Sequence, residues 1–572
     1  MQCRIPSKPQ KTGSALVLVI LFGGVGVAIL AAAMSWTATT AALTRRNLDY
    51  QEAVYAAEAA TEKVLSEMIT DYNRLGVSVV QAKLAAYRTR LPLPEEAAAW
   101  SKFQFSAPGL GAGQLLVEQT TPWTLTALQS QYRGLSGYAA TFRVRADARN
   151  FLRSPEVAAA VQQEVQFALV PIFQFAIFYN LDLEINPGAH MTIGGRVHGN
   201  RNIYCNPNNG VTLTFLNDVT AAGTVFLHKH PEDPLLRGAG TTIFRGRTDS
   251  GVMSLNVPIG TPNDPQAIRA LVEPPPTGEL PTTELGRARF YNTADLLLLL
   301  RDTGVEVRGG ALTPAQGVNL PWTAVTNFVS TNVSFRDQRE NKTVRAVQID
   351  VGRLATWGSA VTNPVRAALG RPISSVYVAD LRTPPSGVLP AVRLVNGADL
   401  PSGGLTVATP NPIYILGHYN APASSRGTTN TTQTKPAALI ADAITILSGS
   451  WNDANSANSI TSRAASDTTV NAAFLAGIVP TTPAGYSGGV ENFPRFLENW
   501  RGRTLTYNGS MIVLFPSQMA TNRWPGTGTV YNPPVRNWHF DLNFLDPAKL
   551  PPLCPSVRAV IRGRWQTLAA TP

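Results

Sequence analysis

Asp182 and Glu184 are the residues of this sequence whose types and spacing come closest to those of a catalytic pair. Side chains two residues apart in a strand point to the same face and lie about 7 Å from each other. Two carboxylates at such a separation can act on a glycosidic bond, one as general acid and the other as nucleophile or base. Acidic residues on the outer face of a strand are more often simply solvated, so we predict that neither residue is catalytic.

Metal binding is the second chemistry that the residue types allow. His228 and His230 place two imidazoles close together, and Glu232 or Asp233 could complete a zinc site. An oxygen-rich group of the kind that suits calcium comprises Asp442, Asn452, Asp453 and Asn455. The histidines lie in a proline-flanked loop, and the oxygen-rich group lacks a regular loop spacing. We therefore predict no metal site and no cofactor, and the sequence also lacks a phosphate-binding glycine loop and an HExxH motif.

Short strands must position these side chains. From residue 180 onward, apolar pairs recur every eight to ten residues between abrupt turns, which is typical of a β-solenoid, a sandwich or a barrel. Mid-sized aliphatic residues that stack well favour a β-solenoid, which we predict over 176–450 with an insertion at about 231–390. That insertion carries one helical pattern, "TADLLLLLRD". Residues 451–572 are predicted as a C-terminal cap with a short amphipathic helix, whose apolar face comprises Phe493, Phe496, Leu497 and Trp500.

The composition agrees with a turn-rich β protein of two or three domains. Of 572 residues, 44% are hydrophobic and 15% charged, with 46 glycines and 43 prolines. The formal net charge of +11 comes from scattered basic residues and includes no basic run, so we predict no nucleic-acid partner. The predicted fold class is α+β and mainly β.

Cysteine usage leaves one question open. The sequence has Cys3, Cys205 and Cys554, and no two of them are spaced as in a zinc or redox motif. Outside the cytoplasm Cys205 and Cys554 could form a disulfide, although their spacing in sequence says nothing about the distance between them.

The N-terminal segment predicts a membrane-spanning helix. No charged residue occurs from Gly13 to Thr44, and about 20 apolar residues suffice to cross a bilayer. The basic residues Arg4, Lys8 and Lys11 precede this span, which places the N terminus in the cytoplasm and the bulk of the chain outside.

The same helix continues beyond the span. Apolar or small residues recur at spacings of three and four from Tyr50 to Tyr72, and no proline interrupts residues 10–91. We predict one helix over 14–75, followed by a mixed β segment over 76–175 that packs on its outer half. The predicted helix-packing residues are Leu16, Leu18, Tyr50, Val54, Ala57, Val64 and Met68.

A short basic leader ending at Gly13, then "SALVLVILFGGVGVAILAAA" and "AVYAAEAATEKVL", resembles the N terminus of type IV pilin-like proteins. The resemblance covers about residues 8–70 and is greatest to the PilX class of minor pilins. It implies that a prepilin peptidase cuts after Gly13, leaving 1–13 as leader, and methylates Ser14. It also implies other pilin-like subunits as partners and an origin in the bacterial inner membrane.

One position departs from the family pattern. Most pilins carry Glu at the fifth residue after the cut, where it pairs with the N-terminal amine of a neighbouring subunit, whereas this chain has Leu18. In the family, the subunit without this Glu is typically at the filament tip. The departure argues against a major pilin and leaves room for a protein that never polymerises.

Three functions remain open from the sequence. The first is a non-enzymatic minor pilin-like subunit of a type IV pilus or type II secretion pseudopilus, at the tip or initiating assembly and able to bind an external surface or glycan. The second is a single-pass envelope protein that presents a β-solenoid as a structural or adhesive module. The third is a membrane-tethered enzyme acting on polysaccharides, which requires converging acids.

Overall fold

A single uninterrupted α-helix, Ser14–Leu75, opens the computed structural model, which describes residues 14–309 and 317–570. Its 62 residues contain no proline. Gly76 ends it with a φ of 82°, a left-handed conformation that glycine adopts readily. The helix is exposed as far as Leu48, and one face is buried from Asp49 onward. This confirms the predicted long N-terminal helix, while the predicted leader through Gly13 lies outside the described residues.

An antiparallel sheet covers the buried face of the helix, and we term it the helix-packed sheet. Its strands are Phe103–Ser106, Leu116–Gln119, Thr124–Ala127, Ser136–Asn150, Ala158–Pro171 and Ser556–Leu568. The two long strands Ser136–Asn150 and Ala158–Pro171 form a hairpin. The second of them also pairs with Ser556–Leu568. The last strand of the chain therefore completes the sheet that packs on the first helix.

The alternation of side chains explains how this sheet faces the helix. Phe142, Val144 and Ala146 are buried and belong to the apolar cluster beneath the helix. Arg143 and Arg145, which alternate with them, are only partly buried on the opposite face. One apolar face on the helix and one polar face are what an alternating strand produces.

The described residues between Pro171 and Ser556 form what we term the inserted β part, because they lie between two adjacent strands of the helix-packed sheet. Thirteen strands form its long sheet, all but two of them paired in parallel. In spatial order they are Thr248–Ser250, Val219–Ala221, Arg196–Gly199, Phe175–Tyr179, Thr504–Val513, Thr468–Ala476, Ala437–Ala441, Leu405–Ala408, Ser375–Asp380, Leu296–Arg301, Gly304–Gly309 and Val318–Leu320, with Val535–Phe540 also paired to Thr504–Val513.

Three smaller sheets lie beside the long one. Two have three parallel strands each, Leu183–Ile185, Ile203–Cys205 and Val225–Phe226 in one, and Met191–Ile193, Thr212–Phe215 and Thr241–Phe244 in the other. The third contains Val329–Asp337, Lys342–Asp350, Val388–Val395, Ile413–Leu416, Ile444–Leu447 and Arg495–Phe496. Successive turns of the chain thus stack strand over strand, as Leu183, Ile203 and Val225 do in register.

The route of the chain through the long sheet brings its first and last turns together. From Phe175–Tyr179 the chain winds to one end of the sheet at Thr248–Ser250, and residues 251–295 lead it to Leu296–Arg301. From there Gly304–Gly309 and Val318–Leu320 extend the sheet to its other end. The later strands then proceed inward until Thr504–Val513 pairs in parallel with Phe175–Tyr179. Apolar side chains of 251–295, including Leu271 and Phe290, cover one face of the long sheet.

Seven short helices complete the described elements longer than a 3-10 turn. They are Val77–Ala82, Leu84–Tyr87, Pro265–Arg269, Glu284–Ala288, Phe290–Thr293, Val351–Ser359 and Pro364–Leu369. Together with the strands they confirm the predicted fold class, a long N-terminal helix followed by a large β-rich region. The pairings show open stacks of parallel strands, and a β-solenoid stays a prediction.

Two helical patterns predicted in the inserted β part are wrong. The leucine run within "TADLLLLLRD" is the strand Leu296–Arg301, buried on both faces between Gly304–Gly309 and Ser375–Asp380. A continuous apolar run is what a central strand requires when both of its faces are covered. The predicted amphipathic helix from Phe493 is instead a 3-10 turn at Val490–Asn492 and the strand Arg495–Phe496, although its four apolar residues are buried.

The predicted C-terminal cap also differs from the structure at its end. Ser556–Leu568 does not join the preceding strands but pairs along Ala158–Pro171 in the helix-packed sheet. The reason is non-local, because this strand fills an edge left by residues almost 400 positions earlier.

Candidate functional site

The N-terminal half of the long helix carries no charged residue from Ser14 to Thr44, and each of its residues as far as Leu48 is exposed in the described part of the chain. It contains a window of mean hydropathy 2.8 with no buried residue, and its length and composition fit a membrane anchor. Ser14 is exposed, Leu16 is 71% exposed and Leu18 is 51% exposed. The predicted packing role of Leu16 and Leu18 therefore involves lipid or other molecules, and it stays a prediction.

The C-terminal half of the helix packs on its own sheet. Val54, Ala57, Val64 and Met68 are buried in one apolar cluster with Phe142 and its neighbours on the sheet, as their spacing predicts. Tyr50 does not take its predicted place beside Val54, since 37% of it is exposed. The helix thus has two distinct halves, one that is exposed and one that is packed on the sheet.

Polar contacts set the register of helix and hairpin. Tyr72 donates a 2.6 Å hydrogen bond from its hydroxyl to the carbonyl oxygen of Ala168, and burial raises the pKa of that phenol. About three helical turns earlier, the side-chain amide of Gln163 donates a hydrogen bond to Thr61 Oγ1 at 2.9 Å. Because both hydrogen bonds are buried, a shift of the helix along the sheet would leave their donors and acceptors without partners.

Asp49 marks the point where the two halves of the helix meet. It is buried, and it accepts a short hydrogen bond from Ser154 Oγ at the tip of the hairpin. The guanidinium of Arg153 lies 3.4 Å from the same carboxylate and 3.7 Å from that of Glu52. The tip of the hairpin is therefore joined to the helix at Asp49, about one turn C-terminal to Arg45 and Arg46.

The returning strand Ser556–Leu568 holds the other end of the packed half. Arg558 donates from Nη1 to the carbonyl oxygen of Asn73 at 2.7 Å and from Nη2 to Glu284 at 3.0 Å. Arg562 forms a two-pronged ion pair with Glu62 at 2.6 and 3.0 Å. Arg558 is buried, whereas Arg562 and Glu62 are about half exposed.

The comparisons with known proteins give little beyond these observations. No family model matches the chain, and no curated protein matches it. Among solved structures, the competence-associated pilin ComZ from Thermus thermophilus is similar at 11% sequence identity, with 91% of this chain and 97% of that chain covered and a TM-score of 0.29. A likeness at that TM-score carries no argument, so the proposals below rest on the residues of this chain.

The acidic pair is not arranged as predicted. Glu184 is buried rather than solvated, and its carboxylate accepts hydrogen bonds from Thr481 Oγ1 at 2.5 Å and Ser487 Oγ at 2.9 Å. Burial raises the pKa of this carboxyl. Asp182 is only partly buried and accepts from the backbone N–H of Asn202 at 3.0 Å. Each carboxylate is thus engaged in holding a turn of the chain.

The histidine loop is packed by an aromatic side chain. The ring of Tyr204 lies 4.7 Å from that of His230 and 5.9 Å from that of His228. His230 Nδ1 accepts from the backbone N–H of Glu232, so that nitrogen is already used. Within residues 14–309 and 317–570, no three His, Cys, Asp or Glu side chains are grouped to hold a metal ion.

Arginine side chains pair with the two aspartates of the oxygen-rich group. Asp442 is fully buried and accepts from Arg269 Nη1 at 2.6 Å. Asp453 plays a comparable role, since its carboxylate accepts hydrogen bonds from Arg393 Nη1 at 2.7 and 2.8 Å. Both carboxylates are therefore neutralised within the chain.

The two described cysteines are free. Cys205 is buried among the apolar residues between the stacked strands, and Cys554 packs against the cluster on the other face of the long sheet. Burial raises the pKa of each thiol to about 12. The disulfide that the sequence left open is absent, because Cys205 and Cys554 lie in apolar clusters on opposite faces of the long sheet.

Sequence reasoning missed three residues that position the helix, namely Asp49, Ser154 and Arg558. Asp49 carried a signal, since it lies on the apolar face that the spacing of Val54 and Ala57 defines. Ser154 and Arg558 carried none, because their roles depend on contacts across 105 and 485 positions.

Proposed function

We propose that the chain is a non-enzymatic minor pilin-like subunit of a type IV pilus or a type II secretion pseudopilus. The observation that carries the proposal is the division of one continuous helix into a bare apolar half, from Ser14 to Leu48, and a half that packs on a sheet. Such a helix can span a membrane as an anchor and later be covered by the helices of neighbouring subunits.

The large inserted β part supports a place at the tip or at the start of assembly. It leaves the helix-packed sheet between two adjacent strands, so it adds bulk without changing how the sheet holds the helix. Bulk of this kind would clash along a filament wall but has free space at a tip. Leu18 also supports this position, because a subunit at the tip has no neighbour beyond it whose N-terminal amine needs a carboxylate partner. The exposed surface of the inserted part would then contact an external surface or glycan.

A second candidate is a single-pass envelope protein that presents the inserted part, as a β-solenoid, outside the bacterial inner membrane. Leu18 is the observation that favours it, because a chain that never polymerises also has no use for an acid there. In this case the prepilin peptidase would not cut after Gly13.

Mass spectrometry of the N terminus separates the two candidates. Protein recovered from its native membrane is expected to begin at N-methylated Ser14, with the N-terminal segment removed. A Gly13→Leu variant should retain Met1, whereas the matched control Gly23→Ala should be processed normally, since the added methyl group meets no atom within 4 Å. A wild-type chain that still carries Met1 would overturn the pilin-like proposal and leave the anchored envelope protein.

A further inference from the structure

A cavity of about 850 Å³ separates the N-terminal helix from the tip of the long hairpin. Helix residues between Ala38 and Asp49 line one side, and tip residues between Arg153 and Val157 line the other. The cavity is open, so a molecule from outside the described residues can enter it. Because the floor on the helix side is alanine-rich and the rim is charged, a molecule that is apolar at one end and charged at the other would suit it.

The direction of the hairpin fixes where the cavity opens. Near the outer end of the helix, Tyr72 contacts Ala168, and further down Asp49 contacts Ser154. The strand Ala158–Pro171 therefore runs in the same direction as the helix, and the tip that precedes it points toward the bare apolar half. From Asp49 to Ala38 the helix descends by about 16 Å at 1.5 Å per residue.

The height of the cavity can be compared with a bilayer. A hydrocarbon core of about 30 Å needs about 20 helical residues. Counted from Ser14, such a core ends near Ala33, and Trp36, whose amphipathic ring is 72% exposed, lies just beyond it, as expected at a membrane interface. The headgroup layer adds about 5 to 8 Å, or roughly three to five residues, and reaches the level of Ala38. The lower rim of the cavity therefore lies at the height of the lipid headgroups.

The chemistry of the tip fits that layer. Phe151 and Leu152 are 45% and 68% exposed at the turn of the hairpin, where a soluble loop would carry polar residues. Arg45 and Arg46 stand on the facing side of the cavity. In the described part of the chain neither has an ion pair, unlike Arg153, which Asp49 holds. Exposed apolar side chains beside free guanidinium groups suit acyl chains beside phosphates.

The cavity is lined by charges of both signs, with positive charge in excess, and this combination favours one class of lipid. Arg45 and Arg46 supply positive charge, and Glu156 on the tip supplies an exposed carboxylate within the same cavity. A zwitterionic headgroup, with a phosphate and an ammonium group, matches both signs. An extended anionic surface would meet Glu156 as a repulsive charge.

We infer that the hairpin tip is a second membrane contact, in which Phe151 and Leu152 enter the outer interface and a zwitterionic phospholipid headgroup occupies the cavity against Arg45 and Arg46. The inference rests on the proposed function, because it concerns the stage at which the helix spans the membrane. Two contact points, helix and tip, would fix the tilt of the exported part before assembly.

The test uses the full chain at a low protein-to-lipid ratio in vesicles of phosphatidylethanolamine and phosphatidylcholine. A spin label is placed at Leu152→Cys in a Cys3→Ser background, in which the remaining thiols Cys205 and Cys554 are held by burial. Leu236→Cys, at a fully exposed position in the inserted β part, is the matched control. Accessibility to oxygen, which concentrates in lipid, is compared with accessibility to a water-soluble nickel chelate.

The label at Leu152→Cys is expected to show a several-fold higher oxygen-to-nickel ratio than the label at Leu236→Cys. Adding Arg45→Gln and Arg46→Gln should bring the two ratios closer together. Equal ratios at both positions would overturn the inference. Shielding that appears only at high protein density, with dipolar broadening between labels, would also overturn it and assign the cavity to the helix of a second copy.

The N-terminal mass of the same samples keeps the two proposals apart. A chain processed to Ser14 whose label at Leu152→Cys lies in water would refute the membrane contact alone. An unprocessed chain whose label lies in lipid would refute the pilin-like assignment and leave the membrane contact in place.

Discussion

Arg558 Nη1 donates a 2.7 Å hydrogen bond to the carbonyl oxygen of Asn73, 485 residues earlier in the chain. Asn73 lies in the last turn of the long helix, where carbonyl groups lack a partner within the helix. The other arm of the guanidinium binds Glu284 in the segment that crosses the long sheet. One side chain therefore joins the end of the helix, the returning strand and the inserted β part.

Replacing Arg558 by methionine should destabilise the folded chain by about 2 to 3 kcal/mol. The substitution removes a buried cation, so the carbonyl of Asn73 loses its donor and the carboxylate of Glu284 loses its partner. Denaturant unfolding of the full chain in detergent, followed by near-ultraviolet circular dichroism, measures the change.

Arg562→Met is the matched control in the same strand. Its ion pair with Glu62 is about half exposed, and pairs of this kind contribute less than about 1 kcal/mol. Equal losses in the free energy of unfolding for the two variants would mean that the buried contacts of Arg558 stabilise the chain no more than an exposed ion pair does.

Deleting residues 556–572 should loosen both the helix-packed sheet and its contact with the inserted β part. Val557, Ala559 and Ile561 are buried in the apolar cluster that also contains Leu271 and Phe290, and burial of a valine or isoleucine contributes about 1.5 to 3 kcal/mol. Hydrogen exchange should accelerate along Ala158–Pro171, which loses its edge partner. A deletion of 571–572 alone should leave it unchanged. Unaltered protection of Ala158–Pro171 in the longer deletion would contradict the pairing.

The long helix could be predicted from the sequence because its signal is local. Spacings of three and four from Val54 to Met68 define the buried face, and the uncharged stretch to Thr44 defines the bare half. The same local reasoning failed at Leu296–Arg301, because five leucines in a row fit a buried helix as well as a strand covered on both faces. Only the pairing with Ser375–Asp380 decides between them.

The candidate site was predictable only in part, for the same reason. Val54, Ala57 and Val64 could be assigned to the packing face, but nothing local to Ser556–Leu568 marks it as the partner of Ala158–Pro171. A strand that pairs across almost 400 residues leaves no periodicity in the sequence. The cysteines illustrate the same limit. Their number allows a disulfide between Cys205 and Cys554, but the long sheet lies between them, and nothing in the sequence indicates this.

Both described cysteines should remain unmodified in the folded chain. Burial raises the pKa of Cys205 and of Cys554 to about 12, so at pH 8 neither forms an appreciable amount of thiolate. Alkylation with iodoacetamide in a Cys3→Ser background should be slow under native conditions and complete for two thiols in denaturant. A mass lower by two hydrogens without reductant would reveal the disulfide that the structure lacks.

Glu498 should make the folded chain less stable as the pH rises from about 4.5 to about 7. Its carboxylate is buried and accepts hydrogen bonds from the backbone N–H and the hydroxyl of Ser448 at 2.6 and 2.7 Å. Burial raises the pKa of this carboxyl from 4.5 to about 7. The folded state therefore binds a proton that the unfolded state has released across this window, and the stability it confers is lost through pH 7.

His198 acts in the opposite sense, so the wild-type profile alone cannot isolate Glu498. Burial lowers the pKa of His198 to about 4, and its contribution to stability grows as the pH rises from there to 6.5. The informative quantity is the difference in unfolding free energy between Glu498→Gln and the wild type, because His198 is common to both.

Glutamine at position 498 resembles the protonated carboxyl, with one acceptor and one donor for Ser448. Glu498→Gln should thus match the wild type near pH 4.5 and exceed it by about 3 kcal/mol at pH 8, the value that corresponds to a pKa raised from 4.5 to about 7. Glu95→Gln, at an exposed position, should show no such divergence. If the Glu498→Gln difference stayed constant across that range, the carboxyl would be ionised in the folded chain throughout, and its hydrogen bonds with Ser448 would outweigh the cost of its burial.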